Sequence, residues 1–435
     1  MTYRRSILTI SLLFSAVVAS AQLPKAATEP ALSLDRAEAL AVAKQPQLLA
    51  AQLRAKAADQ RIRQTRSGYM PTIAFNATGA LVADTGTSTA VGNITTSALS
   101  DRFAYGGNLT QLVTDFGRTS ALVSSSRYQA AAQDNFTTLT KAQVRLNVRT
   151  SFYQVLGAEA VLRAAQAAQA NRHLISRQLA ALAQSELRST LDVNFAHVLE
   201  SEADLAVVRA QSTVAQQRTR LATAMGQQQP ITAPLVDATV NGVTPPLTPD
   251  SLQQQAQQLR ADLNAAQAEQ QSANAFALSE KRLSFPTLNV LGAAGQVPYH
   301  DHTLHDSYAA AGFNLNIPIF NGNLFAARRA EAELESSARK RDVDQIRLLV
   351  NEQVRNAWYR ADEAYRSLDV AARLVAQSKE ALRLAQERYD AGLGSIVELN
   401  EAQLNETSAE ITSADSTYTY LSRRAELDFA TGLLN

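Results

Sequence analysis

Few side chains in this sequence are equipped for chemistry. Cysteine is absent, and there are five histidines and one tryptophan. Without cysteine there is no disulfide, thiolate metal site, cysteine nucleophile or lipid-anchored N-terminal Cys. The densest cluster is Tyr299-His300-Asp301-His302-Thr303-Leu304-His305-Asp306, where three histidines fall within six residues beside two aspartates. Imidazole and carboxylate at that density can ligate Zn²⁺ or Cu²⁺. His300, His302 and His305 are therefore weak metal candidates, weighed against a solvated polar loop, which is the commoner state of such a run. His173 and His197 stand alone in helical sequence and carry no functional reading. Asp115-Phe116-Gly117 has the letters of the kinase metal-binding triplet, but neither a glycine-rich loop nor a His-Arg-Asp loop accompanies it. Gly392-Leu393-Gly394 lacks the third glycine and the preceding strand of a dinucleotide site. Zinc-protease, Walker and serine-nucleophile motifs are missing as well. The sequence reads as a non-enzyme that needs no cofactor.

Composition narrows the partners. Lys+Arg is 41 against Asp+Glu 40 in 435 residues, so no basic excess recommends nucleic acid. Aromatics are 6% while hydrophobics reach 46%, which favours thin, closely packed helices over a thick globular core. Arg4 and Arg5 precede the apolar stretch from Ile7 to Ala19, and Ala19-Ser20-Ala21 supplies small residues for cleavage before Gln22. Residues 1–21 read as an export signal peptide; such a stretch is too short to cross a ~30 Å hydrocarbon core as a helix. No later segment approaches the length of a membrane-spanning helix.

Proline spacing then sets the elements. None occurs between Pro71 and Pro230, or after Pro318. Within the second gap, Ile346, Val350, Val354, Ala357, Ala361, Tyr365, Leu368, Ala372 and Val375 step by fours and threes, a helical, near-heptad period. The spacing predicts a helix from Phe325 to Asp390, ~99 Å at 1.5 Å per residue, and a comparable one from Thr119 to about Ser189. Self-comparison shows a repeat. At an offset of 206, Ser151-Phe152-Tyr153 matches Ala357-Trp358-Tyr359, Leu191-Asp192-Val193-Asn194 matches Val397-Glu398-Leu399-Asn400, and Met225-Gly226 matches Thr431-Gly432. Upstream, at an offset of 215, Met70-Pro71-Thr72-Ile73 matches Phe285-Pro286-Thr287-Leu288. The chain divides into a first repeat (22–228), a Pro/Gly-rich linker (229–250) and a second repeat (251–435).

Between the helices of each repeat the period changes to two. Ile73, Phe75, Ala77 and Leu81 oppose Asn76 and Thr78; Phe103, Tyr105, Gly107, Leu109 and Val113 oppose Arg102, Asn108 and Thr110. In the second repeat Leu288 and Val290 begin the pattern, and Phe313, Leu315, Ile317 and Ile319 oppose Asn314 and Asn316. These alternations predict β-hairpins over about 72–114 and 287–319, with the strand length and one-sided polarity of membrane β-strands. Two surface hairpins on a soluble protein are the competing reading. Four strands cannot close a barrel in lipid: two chains would pool 8 and three would pool 12.

The signal peptide, the two copies of helix–hairpin–long helix–return helix and the turn Tyr389-Asp390-Ala391-Gly392-Leu393-Gly394-Ser395-Ile396-Val397-Glu398-Leu399 together resemble the TolC-like outer-membrane efflux family. Leu315-Asn316-Ile317-Pro318-Ile319-Phe320-Asn321-Gly322 resembles that family's strand-to-helix junction. The resemblance covers nearly all of the chain after the signal peptide. It implies a mainly α fold with membrane β: duplicated long α-hairpins forming a trimeric periplasmic α-barrel, plus four transmembrane strands per chain in a 12-stranded β-barrel. It further implies a passive exit duct of a tripartite efflux or type I secretion system, resident in the outer membrane. The expected partners are two further copies of the chain, a periplasmic adaptor and an inner-membrane RND or ABC pump. A periplasmic coiled-coil adaptor or scaffold is the alternative, though no lipoyl-like β-domain separates the helices. Glu398 and Glu401 share a helix face where the family places inward acidic residues at its narrow entrance, and Asp192 is the repeat-mate of Glu398. Tyr389 and Asp192 resemble parts of the closing network, but Gly394 stands where an arginine is expected, with Arg388 nearby to substitute. Gly392 and Leu393, at one of two predicted helical tips (the other near 187–191), are the candidates for adaptor contact.

Overall fold

Two helices of 67 residues dominate the computed structural model, which describes residues 31–81, 86–89, 96–99, 101–186, 189–237, 248–300 and 305–435. The predicted signal peptide and His302 lie outside the described residues. The first half runs α1 (Leu34–Lys44), α2 (Pro46–Arg66), β1 (Thr72–Ala80), a short pair β2 (Gly86–Thr89) and β3 (Thr96–Leu99), β4 (Arg102–Thr114), α3 (Arg118–Gln184) and α4 (Thr190–Ala224). The second runs α5 (Pro249–Leu259), α6 (Ala261–Lys281), β5 (Thr287–Tyr299), β6 (Ser307–Asn316), α7 (Leu324–Asp390) and α8 (Ile396–Ala430). Corresponding helices have identical lengths: 11 residues in α1 and α5, 21 in α2 and α6, 67 in α3 and α7, and 35 in α4 and α8.

The left-handed backbone positions are duplicated too. Phe116 and Gly117 pair with Gly322 and Asn323, Glu186 with Gly392, and Gly226 with Gly432. Each pair marks where a helix begins or stops. Asp115 is buried before α3 and accepts from the Gly117 and Thr119 amides at 3.0 and 2.6 Å, satisfying donors that the first helical turn leaves open. The resemblance to a kinase triplet is thus a helix start.

At mid-length, α1 packs against α3 and α5 against α7. Val144, Val148, Phe152 and Leu221 are fully buried with Leu48 and Met225. The repeat-mates of the first, second and fourth, Val350, Val354 and Leu427, build a second cluster with Leu252, against which Trp358, the mate of Phe152, packs partly buried. Equivalent cross-ties serve both halves with different residues. Gln45 donates to the Ala224 carbonyl at 3.0 Å, and Arg260 to the Ala430 carbonyl at 3.2 Å.

The main sheet is antiparallel in the order β1-β4-β5-β6. Its register pairs Phe75 with Gly107, Ala77 with Tyr105 and Val290 with Phe313, so Phe75, Phe103, Tyr105 and Phe313 share one face as the alternation predicts. Asn76 and Asn108 meet on the other face at 2.8 Å. Ile73 and Phe313 are 74% and 76% exposed, so the aromatic face has no cover from its own chain. Gly106 and Gly295 face each other across β4 and β5 so closely that a Cβ on either would fall within 2.8 Å of the other's Cα.

Three sequence expectations change. The second hairpin ends at Asn316 rather than 319, because Pro318 has no N–H to donate to a ladder. The first long helix stops at Gln184, five residues short of expectation, with Glu186 in left-handed geometry. The first hairpin, expected as two strands over about 72–114, contains a further pair, β2 with β3.

Candidate functional site

The turn from α7 to α8 gathers the predicted tip and entrance residues. Gly392 has φ +73°, a left-handed conformation that glycine adopts at no steric cost. It lets the chain reverse while the Leu393 and Gly394 amides donate to the Arg388 carbonyl at 2.8 and 3.0 Å. Gly394 is tightly placed: a Cβ there would lie 3.2 Å from the Tyr389 nitrogen. Leu393 is 74% exposed at the apex. Tyr389 is half-buried in the last turn of α7.

Ser395 then caps α8, its hydroxyl accepting from the Glu398 amide at 3.1 Å. This fixes Glu398 in the first turn, where a carboxylate favours the helix N-terminus. Its side chain reaches back to Arg388, Nε to Oε1 at 3.2 Å, and Arg388 also donates to the Leu393 carbonyl at 3.3 Å. Arg388 therefore ties the two arms of the tip together. Glu401, one turn on, is exposed and forms no ion pair among the described residues. Asp192 occupies the equivalent first turn of α4, behind the Ser189 cap. The other predicted tip, 187–191, is described from Ser189 onward.

The histidine-rich loop is only partly described. His300 Nε2 pairs with Asp306 at 2.9 Å, and His305 is exposed. Among the described residues no group of three or more histidine or carboxylate side chains is placed to hold a metal ion.

Sequence reasoning missed the residues that lock each hairpin just above its tip. His173 and His197, read as isolated, both contact Glu200. His173 Nδ1 bonds its Oε1, and His197 Nδ1 lies 3.2 Å from its Oε2. Ser176 lies 3.2 Å from His197, and His173 Nε2 is 3.3 Å from Asp204. Hydrogen bonds from Ser176, His173 and His197 hold the Glu200 carboxyl well below the ordinary range, at about 2. Nearby, the buried Arg172 donates to the Asn400 side chain at 2.6 Å, joining α3 to α8. The available signal was geometric: 173 and 200, 176 and 197, and 169 and 204 are each symmetric about positions 186–187, the centre of the turn.

A small antiparallel sheet joined to two helices of ~100 Å, each returning through a shorter one at an exposed tip, defines a class: outer-membrane channels with a helical extension. A sequence model of the outer membrane efflux protein family matches residues 39–227 and 252–433, and the chain belongs to that family. It is an outer-membrane exit duct of efflux, with its helices extending into the periplasm. Compared by sequence with curated proteins, the chain matches none. Among solved structures it resembles the outer-membrane channel OprN (TM-score 0.78, 20% identity, 92% of this chain and 89% of that one). It likewise resembles VceC of Vibrio cholerae (0.76, 18%, 92% and 96%) and the open state of MtrE of Neisseria gonorrhoeae (0.76, 20%, 92% and 88%).

Proposed function

We propose that three copies of this chain, each exported by cleavage of residues 1–21 and built as repeats 22–228 and 251–435 about a linker at 229–250, form a passive duct. An inner-membrane RND or ABC pump drives it and a periplasmic adaptor connects the two. The observation that carries the assembly is the pair of open edges on β1 and β6. In lipid every unpaired edge group costs several kcal/mol, so β6 of one chain needs β1 of the next. Three chains make 12 strands and close the barrel, as the family resemblance implies. The exposed aromatic face supports contact with lipid; the Asn76–Asn108 face would line the lumen.

The tips form the periplasmic entrance. Gly392 and Leu393 present an apolar knob to the adaptor. Glu401, with Asp192 and the Arg388-paired Glu398, repeats around the threefold axis as an acidic ring that favours cations. The pump, not the duct, selects the cargo. Heat-stable trimers recorded in planar bilayers test this reading: wild type should conduct, prefer cations and be blocked by multivalent cations. Loss of preference and block in Glu398→Ala with Glu401→Ala supports the acidic entrance, whereas unchanged selectivity removes both residues from it. A trimer that never conducts overturns the duct.

A further inference from the structure

The two hairpins carry the same clamp with different cations. In the second repeat, Lys379 on α7 bonds Glu410 on α8 at 2.8 Å, with Glu406 one turn closer to the tip. The repeat-mates of Lys379, Glu406 and Glu410, all at the 206-residue offset, are His173, Glu200 and Asp204. In each hairpin a basic side chain on the descending helix bonds a carboxylate on the returning one, with a second carboxylate one turn away. His173 contacts both of its carboxylates, whereas Lys379 bonds Glu410 and Glu406 hydrogen-bonds Glu410 in turn. Lysine keeps its charge throughout the physiological range; histidine does not.

His173 contacts a carboxylate with each ring nitrogen, Glu200 through Nδ1 and Asp204 through Nε2 at 3.3 Å. A neutral imidazole has one N–H and one bare lone pair, and only the imidazolium donates from both nitrogens. The geometry points to a proton-dependent clamp: protonated His173 holds α3 to α4 as Lys379 permanently holds α7 to α8, and a neutral His173 releases one carboxylate and loosens the first hairpin above its tip.

The charged surroundings are compatible with this. On α3, Arg172 is turned to Asn400 of α8, and Arg177 bonds the His173 carbonyl. Gln169 donates to Asp204 at 2.9 Å, giving that carboxylate a neutral partner once His173 lets go. On α4, His197 shares Glu200, and Glu202 acts on Arg172. Glu398, Glu401 and Glu406 of α8 form no ion pair with either histidine among the described residues. Hydrogen bonding that holds Glu200 at about 2 keeps it an anion wherever histidine titrates. Acid therefore closes the first hairpin, while in the second Lys379 keeps its charge and the acid-sensitive group is Glu406, whose carboxyl is pushed up by burial and by Glu410. The proposal does not depend on the acidic entrance.

The absence of native cysteine makes the test direct. Spin labels at Gln178→Cys and Asn194→Cys, both exposed and opposite each other on the tip side of the clamp, report the α3–α4 distance in purified full-length protein. Between about pH 5 and about pH 8, where histidine changes charge, the wild-type distribution should broaden, its close population falling about two- to fivefold, the worth of an exposed pair. His173→Lys should stay narrow at both pH values and His173→Gln broad at both. A wild-type distribution that ignores pH overturns the proposal. So does a His173→Gln variant that keeps the wild-type response, which would assign the titration to His197.

Discussion

In the proposed entrance, Arg388 sets how much of the Glu398 charge is free. Its 3.2 Å contact with Glu398 joins two side chains that are about half exposed, at 57% and 47%. Such a pair contributes roughly 0–1 kcal/mol, so it adjusts charge more than stability. Arg388→Ala should leave melting within about 1 kcal/mol of wild type while freeing Glu398 and raising cation preference, read as a larger reversal potential across a salt gradient. Unchanged selectivity would place Glu398 outside the conduction path. Arg260 behaves differently because it is buried, bonding Asp262 at 2.5 and 2.9 Å and Gln353 at 2.8 Å. Burial pushes the Asp262 carboxyl up, but the Arg260 bonds outweigh this and hold it below its ordinary value. Arg260→Ala would strand that anion, and breaking a buried pair costs about 3 kcal/mol, visible in thermal unfolding. A lowered carboxyl value contributes stability above the unfolded-chain value, near 4, that is lost as pH falls below it. Asp262→Asn should therefore destabilise at neutral pH, with the deficit shrinking towards pH ~2; a constant deficit would show that lost packing, not charge, is responsible.

Strands and helices were legible where a period repeats. The two-residue alternation put Phe75, Phe103, Tyr105 and Phe313 on one face, and the register agrees. That face carries a further expectation: Phe103→Asp should cut outer-membrane yield, since a lipid-facing charge costs on the order of 2–4 kcal/mol near the midplane, whereas Asn108→Asp should be tolerated. Equal yields would reverse the assigned faces. The near-heptad period located the long helices to within a residue at Leu324, yet missed the end at Gln184 because nothing in a helical pattern announces Glu186 in left-handed geometry. The hairpin clamp was illegible for a related reason. His173 and Glu200 are 27 residues apart, and only the position of the turn reveals that they meet. His197 and Glu200 were readable as helix neighbours three apart; their partner across the hairpin was not.

At the scale of the molecule, duplication was the most informative feature of the sequence, because aromatic, proline and glycine landmarks recur at fixed offsets that the paired element lengths reproduce. What the duplication hides is where the copies have diverged in chemistry, as at His173 against Lys379 and Gln45 against Arg260. Equal lengths also constrain how such a duct can change. Each hairpin descends 67 residues and returns 35, so the two have the same helical reach. Removing four residues from one descending helix and four from its return would raise that tip by ~6 Å and leave the rim notched. The same cut in both hairpins would merely shorten the tube. The depth to which the molecule reaches is thus a dimension written twice in one gene, and a viable change of reach requires both copies of the instruction to be edited alike.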